Sequence, residues 1–167
     1  MKSKALLATV LTAGTMLSCA ASAETFKKYG MEGDWEIAIN EKMGPGCVAV
    51  RKFDNPTSQV QMGIDANSAE NTGYIAIYVE GAEGIEPGQE IPASFDVDGE
   101  MFKGTFTGQA TKGFGGAFVP VNNAAFVYDM AKKNTLTISY GEGNKVIVPL
   151  EGTDAAFAAL RACQEAQ

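Results

Sequence analysis

Short apolar runs, several of them alternating with polar residues, recur along the chain between clusters of Gly, Asn, Asp and Pro. Trp35, Ile37 and Ile39 fall at every second position, so in a strand they share one face. Gly44-Pro45-Gly46 predicts a turn over 41–46, and 47–53 reads as the next strand, ended by Asn55-Pro56. Stretches 59–65 and 74–80 predict a third and a fourth strand, the latter rich in Tyr, Ile and Val. Pro87-Gly88 marks 83–89 as a loop. The runs 91–97 and 100–107 predict a hairpin about Asp98-Gly99, where Gly accepts the positive φ of a tight turn. The Gly-rich stretch 111–116 reads as a flexible connector, and 136–140 with 145–150 as a second hairpin around 141–144.

Two segments change period. Asn122 or Asn123 caps a short helix reaching Lys133, with Phe126 and Met130 four apart on one face and Lys132 and Lys133 at the end where the helix dipole favours cations. At the C-terminus Gly152-Thr153 offers a cap and Asp154 sits in the first turn. Ala156, Leu160 and Cys163 then recur at i, i+4 and i+7 with Phe157 beside them, a stripe that should face the strands. The pattern predicts a mainly β protein: an antiparallel β-sandwich, jelly-roll-like, with one short internal helix and a C-terminal helix. No internal repeat or domain boundary interrupts it, so residues 24–167 are expected to form a single domain.

The first 23 residues read differently. Lys2 and Lys4 precede an uncharged apolar run over 5–17, and Ala21-Ser22-Ala23 fits the small-x-small rule for cleavage after Ala23. The run is shorter than the roughly 20 residues a bilayer-spanning helix needs, and no later segment approaches that length. Residues 1–23 are therefore expected to be a signal peptide, and the periplasm the destination. Lipid attachment at Cys19 would want a small residue where Leu17 stands, so Cys19 is expected to leave with the signal.

Export alters the charge. The whole chain carries 13 basic and 20 acidic residues, net −7; losing Lys2 and Lys4 takes the balance to −9. Nucleic-acid binding relies on a basic face that displaces counterions, which this composition opposes. Histidine is absent. Ser-His-Asp and Cys-His constellations are excluded, and with them goes the usual base near neutral pH. No cofactor or metal is expected, and no catalytic residue is nominated.

Export also leaves two cysteines, Cys47 and Cys163. Thiols delivered to an oxidising space usually pair. A Cys47–Cys163 disulfide would close a loop of about 115 residues, worth roughly 4–5 kcal/mol in the chain-entropy model. Two separate buried thiols are the alternative; redox chemistry has no C-x-x-C to support it.

Other features have plain readings beside sharper ones. Asp96-Val97-Asp98-Gly99-Glu100 resembles part of a calcium loop, but Thr105 stands where such a loop needs glutamate. Gly113-Phe114-Gly115-Gly116 lacks the Lys-Ser/Thr ending of a phosphate cradle. Glu80, Glu83, Glu86 and Glu90 crowd one loop region, which suits a solvated face better than a facing acid–base pair. Met31, Met43, Met62, Met101 and Met130 are scattered, as core filling would have it.

Taken in order, Gly33-Asp34-Trp35 opens a strand, Pro87-Gly88 precedes the Phe95-Asp96-Val97-Asp98-Gly99 hairpin, and Leu150, Gly152 and Ala156 lead into an Ala-rich helix. This layout resembles the invasion-associated locus B family of exported bacterial proteins. Family members typically show a Gly-Asp-Trp strand, an Asp-Gly hairpin turn and a Leu-x-Gly-x-x-x-Ala segment. They commonly carry a cysteine soon after the Trp and a pair in mid-chain. Both are absent here, so their disulfide pattern does not carry over. The resemblance implies a periplasmic or outer-membrane-associated β-sandwich without known catalytic residues. The expected function is non-enzymatic: binding or supporting another envelope or host-surface protein through a sheet edge or the segments 83–89 and 111–120. A lipocalin-like small-molecule binder with an interior cavity of roughly several hundred Å³, a secreted protease inhibitor and a carboxylate-based glycan hydrolase are the alternatives.

Overall fold

A computed structural model describes residues 26–54, 56–68, 72–111, 113–141 and 143–167; the expected signal, its cleavage point and Cys19 lie outside the described residues. The strands are β1 (Phe26–Glu32), β2 (Trp35–Asn40), β3 (Gly46–Asp54), β4 (Thr57–Asp65), β5 (Thr72–Glu80), β6 (Glu90–Val97), β7 (Glu100–Thr111), β8 (Phe114–Val121), β9 (Thr135–Tyr140) and β10 (Asn144–Pro149). They form one antiparallel sheet in the order β1-β2-β3-β4-β5-β8-β7-β6-β9-β10. The first five strands meander. The chain then crosses to β6, and the hairpin-linked β6, β7 and β8 run back until β8 pairs with β5. β9 returns to the far side of β6, so β6 to β9 make a Greek key. Trp35, Met62, Phe95 and Val148 come from distant places in this order yet share one core. The sheet therefore bends over onto itself and encloses its inner face as a sandwich does.

α2 (Thr153–Glu165) closes that core. Its predicted stripe, Ala156, Phe157, Leu160 and Cys163, is buried, and Phe157 meets Trp35 with ring centroids 6.1 Å apart. Burying the Phe157 and Leu160 side chains contributes about 1.5–3 kcal/mol each. Cys163 is disulfide-bonded to Cys47 on β3, their Cα atoms 6.1 Å apart. Two side-chain hydrogen bonds extend this clasp: the Cys47 amide donates to Gln164 Oε1 (2.9 Å) and Trp35 Nε1 donates to the Glu151 carbonyl (3.3 Å). Arg51 adds a bond to the Pro149 carbonyl (3.0 Å) and an ion pair with Asp34 (3.2 Å). Among the described residues no helix is long and apolar enough to cross a membrane.

Several local expectations change. β1 was not foreseen; it is an edge strand carrying Lys27 and Lys28 on exposed positions, so it lacks a buried alternating face. β8 begins inside the stretch 111–116 read as a flexible connector and takes in Phe114, Gly115 and Gly116, while Thr111 ends β7. A Cβ at Gly116 would strike the Ile77 carbonyl and the Tyr78 ring, so this glycine serves close packing rather than mobility. The internal helix is shorter than predicted: α1 spans Ala124–Asp129, capped by Asn123, whose Oδ1 accepts from the Ala125 amide (2.9 Å). A 3-10 turn, Met130–Lys132, follows it. Thr153 does not cap α2; its hydroxyl turns back and donates to the Leu150 carbonyl (2.6 Å), fixing the lead-in.

Candidate binding cleft

β5 buries both its faces. Ile75 and Ile77 enter the main core, whereas Tyr74, Ala76 and Tyr78 form a second cluster on the outer face with Ala38, Val48 and Val50. The tyrosines settle there because their cross-strand partners are glycines. Tyr74 is paired with Gly63 of β4 and Tyr78 with Gly116 of β8. A Cβ at Gly63 would come within 2.8 Å of the Tyr74 ring. Each ring thus lies over a partner without a side chain, much as aromatic rings shield glycines in other sheets. Between the two rings only the small Ala76 rises, flanked in register by Gln61 of β4 and Phe118 of β8.

The result is a cleft of about 470 Å³. Asn40 at the end of β2, Lys42 and Met43 of the 3-10 turn Glu41–Met43, and Gln109 of β7 complete much of its wall. Pro87 and Gly88 bring the 83–89 loop to its rim. That loop is fastened to β7: the Gly88 amide donates to the Gly108 carbonyl (2.8 Å) and the Gly108 amide to the Gln89 carbonyl (2.7 Å).

The lining is rich in amides and aromatic rings. Its one formally charged side chain is Lys42, although the chain as a whole is acidic. Asn40 and Gln61 are both 1% exposed. Asn40 Oδ1 accepts from the Lys42 amide (3.2 Å), and the Tyr78 hydroxyl donates to Gln109 Oε1. Gln61 Nε2 has no hydrogen-bond partner among the described residues. A buried donor left unmade costs about 1–3 kcal/mol, and a primary amide has two donors to place. With no carboxylate, thiol or imidazole in its lining, the cleft is equipped to hold a molecule by hydrogen bonds and ring contacts.

The features weighed in the sequence lie elsewhere or at its margin. The 83–89 segment reaches the cleft through Pro87 and Gly88; the 111–120 segment is largely strand and supplies Phe118. Glu80, Glu83, Glu86 and Glu90 are exposed. The Asp96–Glu100 stretch is a hairpin turn, with φ of 51° at Asp98 and 91° at Gly99, both positive as a primed turn requires. Asp98 accepts from the Asn134 amide (2.9 Å), Asn134 Nδ2 (3.1 Å) and the Thr135 amide (2.9 Å), so its oxygens serve the start of β9. The Asn134 amide bond, then that of Thr135, holds this carboxyl below its ordinary value. Met62 and Met130 fill the core, whereas Met31 and Met101 are exposed.

Sequence reasoning passed over Asn40, Gln61, Tyr74, Tyr78 and Gln109. Gln61 sits in Gln59-Val60-Gln61-Met62, an alternation that reads as a solvated polar face. The usable signal was on β5, where Tyr74, Ala76 and Tyr78 leave neither face polar. A strand apolar on both sides is covered on both sides.

The architecture defines a mainly β protein, a curled antiparallel sandwich clasped by a terminal helix. Among solved structures it is similar to invasion associated protein B from Bartonella henselae, with a TM-score of 0.53 and 19% identity over 81% of this chain and 97% of that one. At this identity the likeness is one of fold, and it agrees with the family resemblance seen in the sequence layout. No protein-family model matches the chain, and no curated protein matches it.

Proposed function

We propose that the protein is an exported, non-enzymatic binding protein of the bacterial envelope that holds or supports another protein of the envelope or of a host surface. The carrying observation is where its exposed apolar side chains fall. Among the described residues, three of the four large ones lie on the edge strands of the sheet: Tyr29 and Met31 (each 48% exposed) on β1, and Ile147 (54%) on β10. An edge strand presents unpaired backbone groups, and an extended segment of a partner adds to it as a further strand, with apolar side chains giving selectivity. Export is supported by the signal-like first 23 residues and by a disulfide suited to an oxidising compartment. An envelope or host-contact setting is supported by the fold likeness to a protein named for invasion.

The test places a photo-crosslinking residue at position 31 or 147 and, as a control, at the exposed position 83, in cells making the full chain. A discrete protein adduct at 31 or 147 and none at 83 is expected. Absence of any adduct from the two edge positions rejects edge binding. Recovery of the chain from the cytosol with residues 1–23 attached rejects export.

A further inference from the structure

We propose that the outer-face cleft is a saccharide site, taking a short stretch of neutral, hydroxyl-rich glycan between the Asn40, Gln61 and Gln109 amides and the Tyr74, Tyr78 and Phe118 rings. The proposal deepens the binding reading above but does not depend on a protein partner, because the cleft and the sheet edges are separate surfaces.

Its volume of about 470 Å³ falls within the roughly 300–1,000 Å³ of small-molecule sites. The chemistry narrows the ligand by elimination. An apolar ligand would leave Gln61 Nε2 as unsatisfied as it now is. A cationic ligand would find no carboxylate in the lining, and a polyanion would find a single cation, Lys42. A neutral polar ligand remains. Side-chain amides and hydroxyl groups each donate and accept, so several amides converging on one space match a polyol. The half-buried Phe118 ring offers an electron-rich face that suits the C–H-lined face of a sugar ring, while the buried Tyr74 and Tyr78 bound the cleft on either side of Ala76.

A peptide is also neutral and polar, but the cleft is a poor place to read one. It lies over β4, β5, β8 and β7, interior strands whose backbone groups are engaged in the sheet ladder. Recognition there falls to side chains, whereas an extended peptide is held mainly by backbone pairing at an edge.

The experiment titrates the disulfide-bonded protein, followed by ¹H–¹⁵N NMR, with four separate probes: a neutral glucose trimer, an N-acetylglucosamine trimer, a galacturonate trimer and a tetra-alanine peptide. At least one neutral trimer should move the side-chain amide signals of Gln61 and Gln109 at millimolar concentration. Gln61→Leu should weaken that binding roughly tenfold, as loss of one good hydrogen bond does, without lowering Tm. Gln109→Ala, at the half-buried rim, provides the same reading should the Leu variant not fold. The proposal is overturned if neither neutral trimer moves those signals, if only the peptide or the galacturonate does, or if both variants bind as tightly as the parent. Edge crosslinking remains free to succeed or fail independently.

Discussion

The inner and outer faces of the sheet are both covered, but by different means. On the inner face, large side chains from β2 to β10 interdigitate with α2, and the polar groups beside them are matched: Trp35 Nε1 with Glu151, the Cys47 amide with Gln164, the Thr153 hydroxyl with Leu150. On the outer face, two tyrosines lie over glycines and leave a notch at Ala76 beside Gln61, a buried amide whose Nε2 is unmatched. Matched polar groups with dense packing are what stability asks for. A buried donor without a partner is tolerated where a ligand supplies one, and such local violations concentrate at functional sites. The contrast separates a face that holds the protein together from a face available for recognition.

The largest test of that division is the clasp. Reducing the Cys47–Cys163 bond, which spans 116 residues of sequence, should lower unfolding free energy by about 4–5 kcal/mol. Urea titrations with and without reductant measure it. A shared midpoint would show that packing alone secures α2. Next, Phe157→Ala should cost about 3–5 kcal/mol by opening a cavity against Trp35. Phe118→Ala, on a half-buried outer position, should cost clearly less. Equal losses would erase the distinction between the faces.

On the outer face the sensitive positions are small residues. Gly63→Ala places a methyl group against the Tyr74 ring, and Gly116→Ala against the Tyr78 ring and the Ile77 carbonyl. Each should destabilise by about 1–3 kcal/mol, the usual cost of overpacking, measured by thermal melts. Either variant melting like the parent would show that the rings have room to move aside.

The same division explains what could be read from the sequence. The inner face was legible because its signal is periodic: Trp35, Ile37 and Ile39 at period two, and Ala156, Leu160 and Cys163 at helical spacing, all buried as read. The Asp98-Gly99 hairpin was legible because few residues accept two successive positive φ angles. The outer face was not. Its glycines signify close packing, but Gly115 and Gly116 look in isolation like a mobile tract, which hid β8. Gln61 is buried opposite Ala76, between the levels of Tyr74 and Tyr78 on the neighbouring strand, a cross-strand relation that local alternation does not encode. Of the cleft, the two segments singled out beforehand supply only part of the lining: 83–89 through Pro87 and Gly88, and 111–120 through Phe118.

Gln61→Leu reverses the usual sign. Removing a buried amide whose Nε2 is unmatched should stabilise the protein by about 1 kcal/mol, seen as a higher urea midpoint. A loss of stability would mean that the amide already satisfies its neighbours and that the two faces are alike in this respect.

The smallest effect lies outside both faces, at the turn that starts the Greek key, and its direction is fixed by titration. Hydrogen bonds from the Asn134 and Thr135 amides favour the charged form of Asp98 and lower its pKa from the ordinary 3.8. A carboxyl with a lowered folded-state pKa contributes its stabilisation in full above the unfolded value. It surrenders that contribution as pH falls through the folded one. The side chain is exposed to solvent, so the contribution is screened and modest. Asp98→Asn keeps an acceptor oxygen and a residue tolerant of the positive φ of 51°, while removing the charge. The parent should therefore melt slightly above the variant at neutral pH, and the gap should close below pH 3.8. A gap unchanged in acid would assign the latch to neutral hydrogen bonding alone, and the inner face would then need no charged support from this turn.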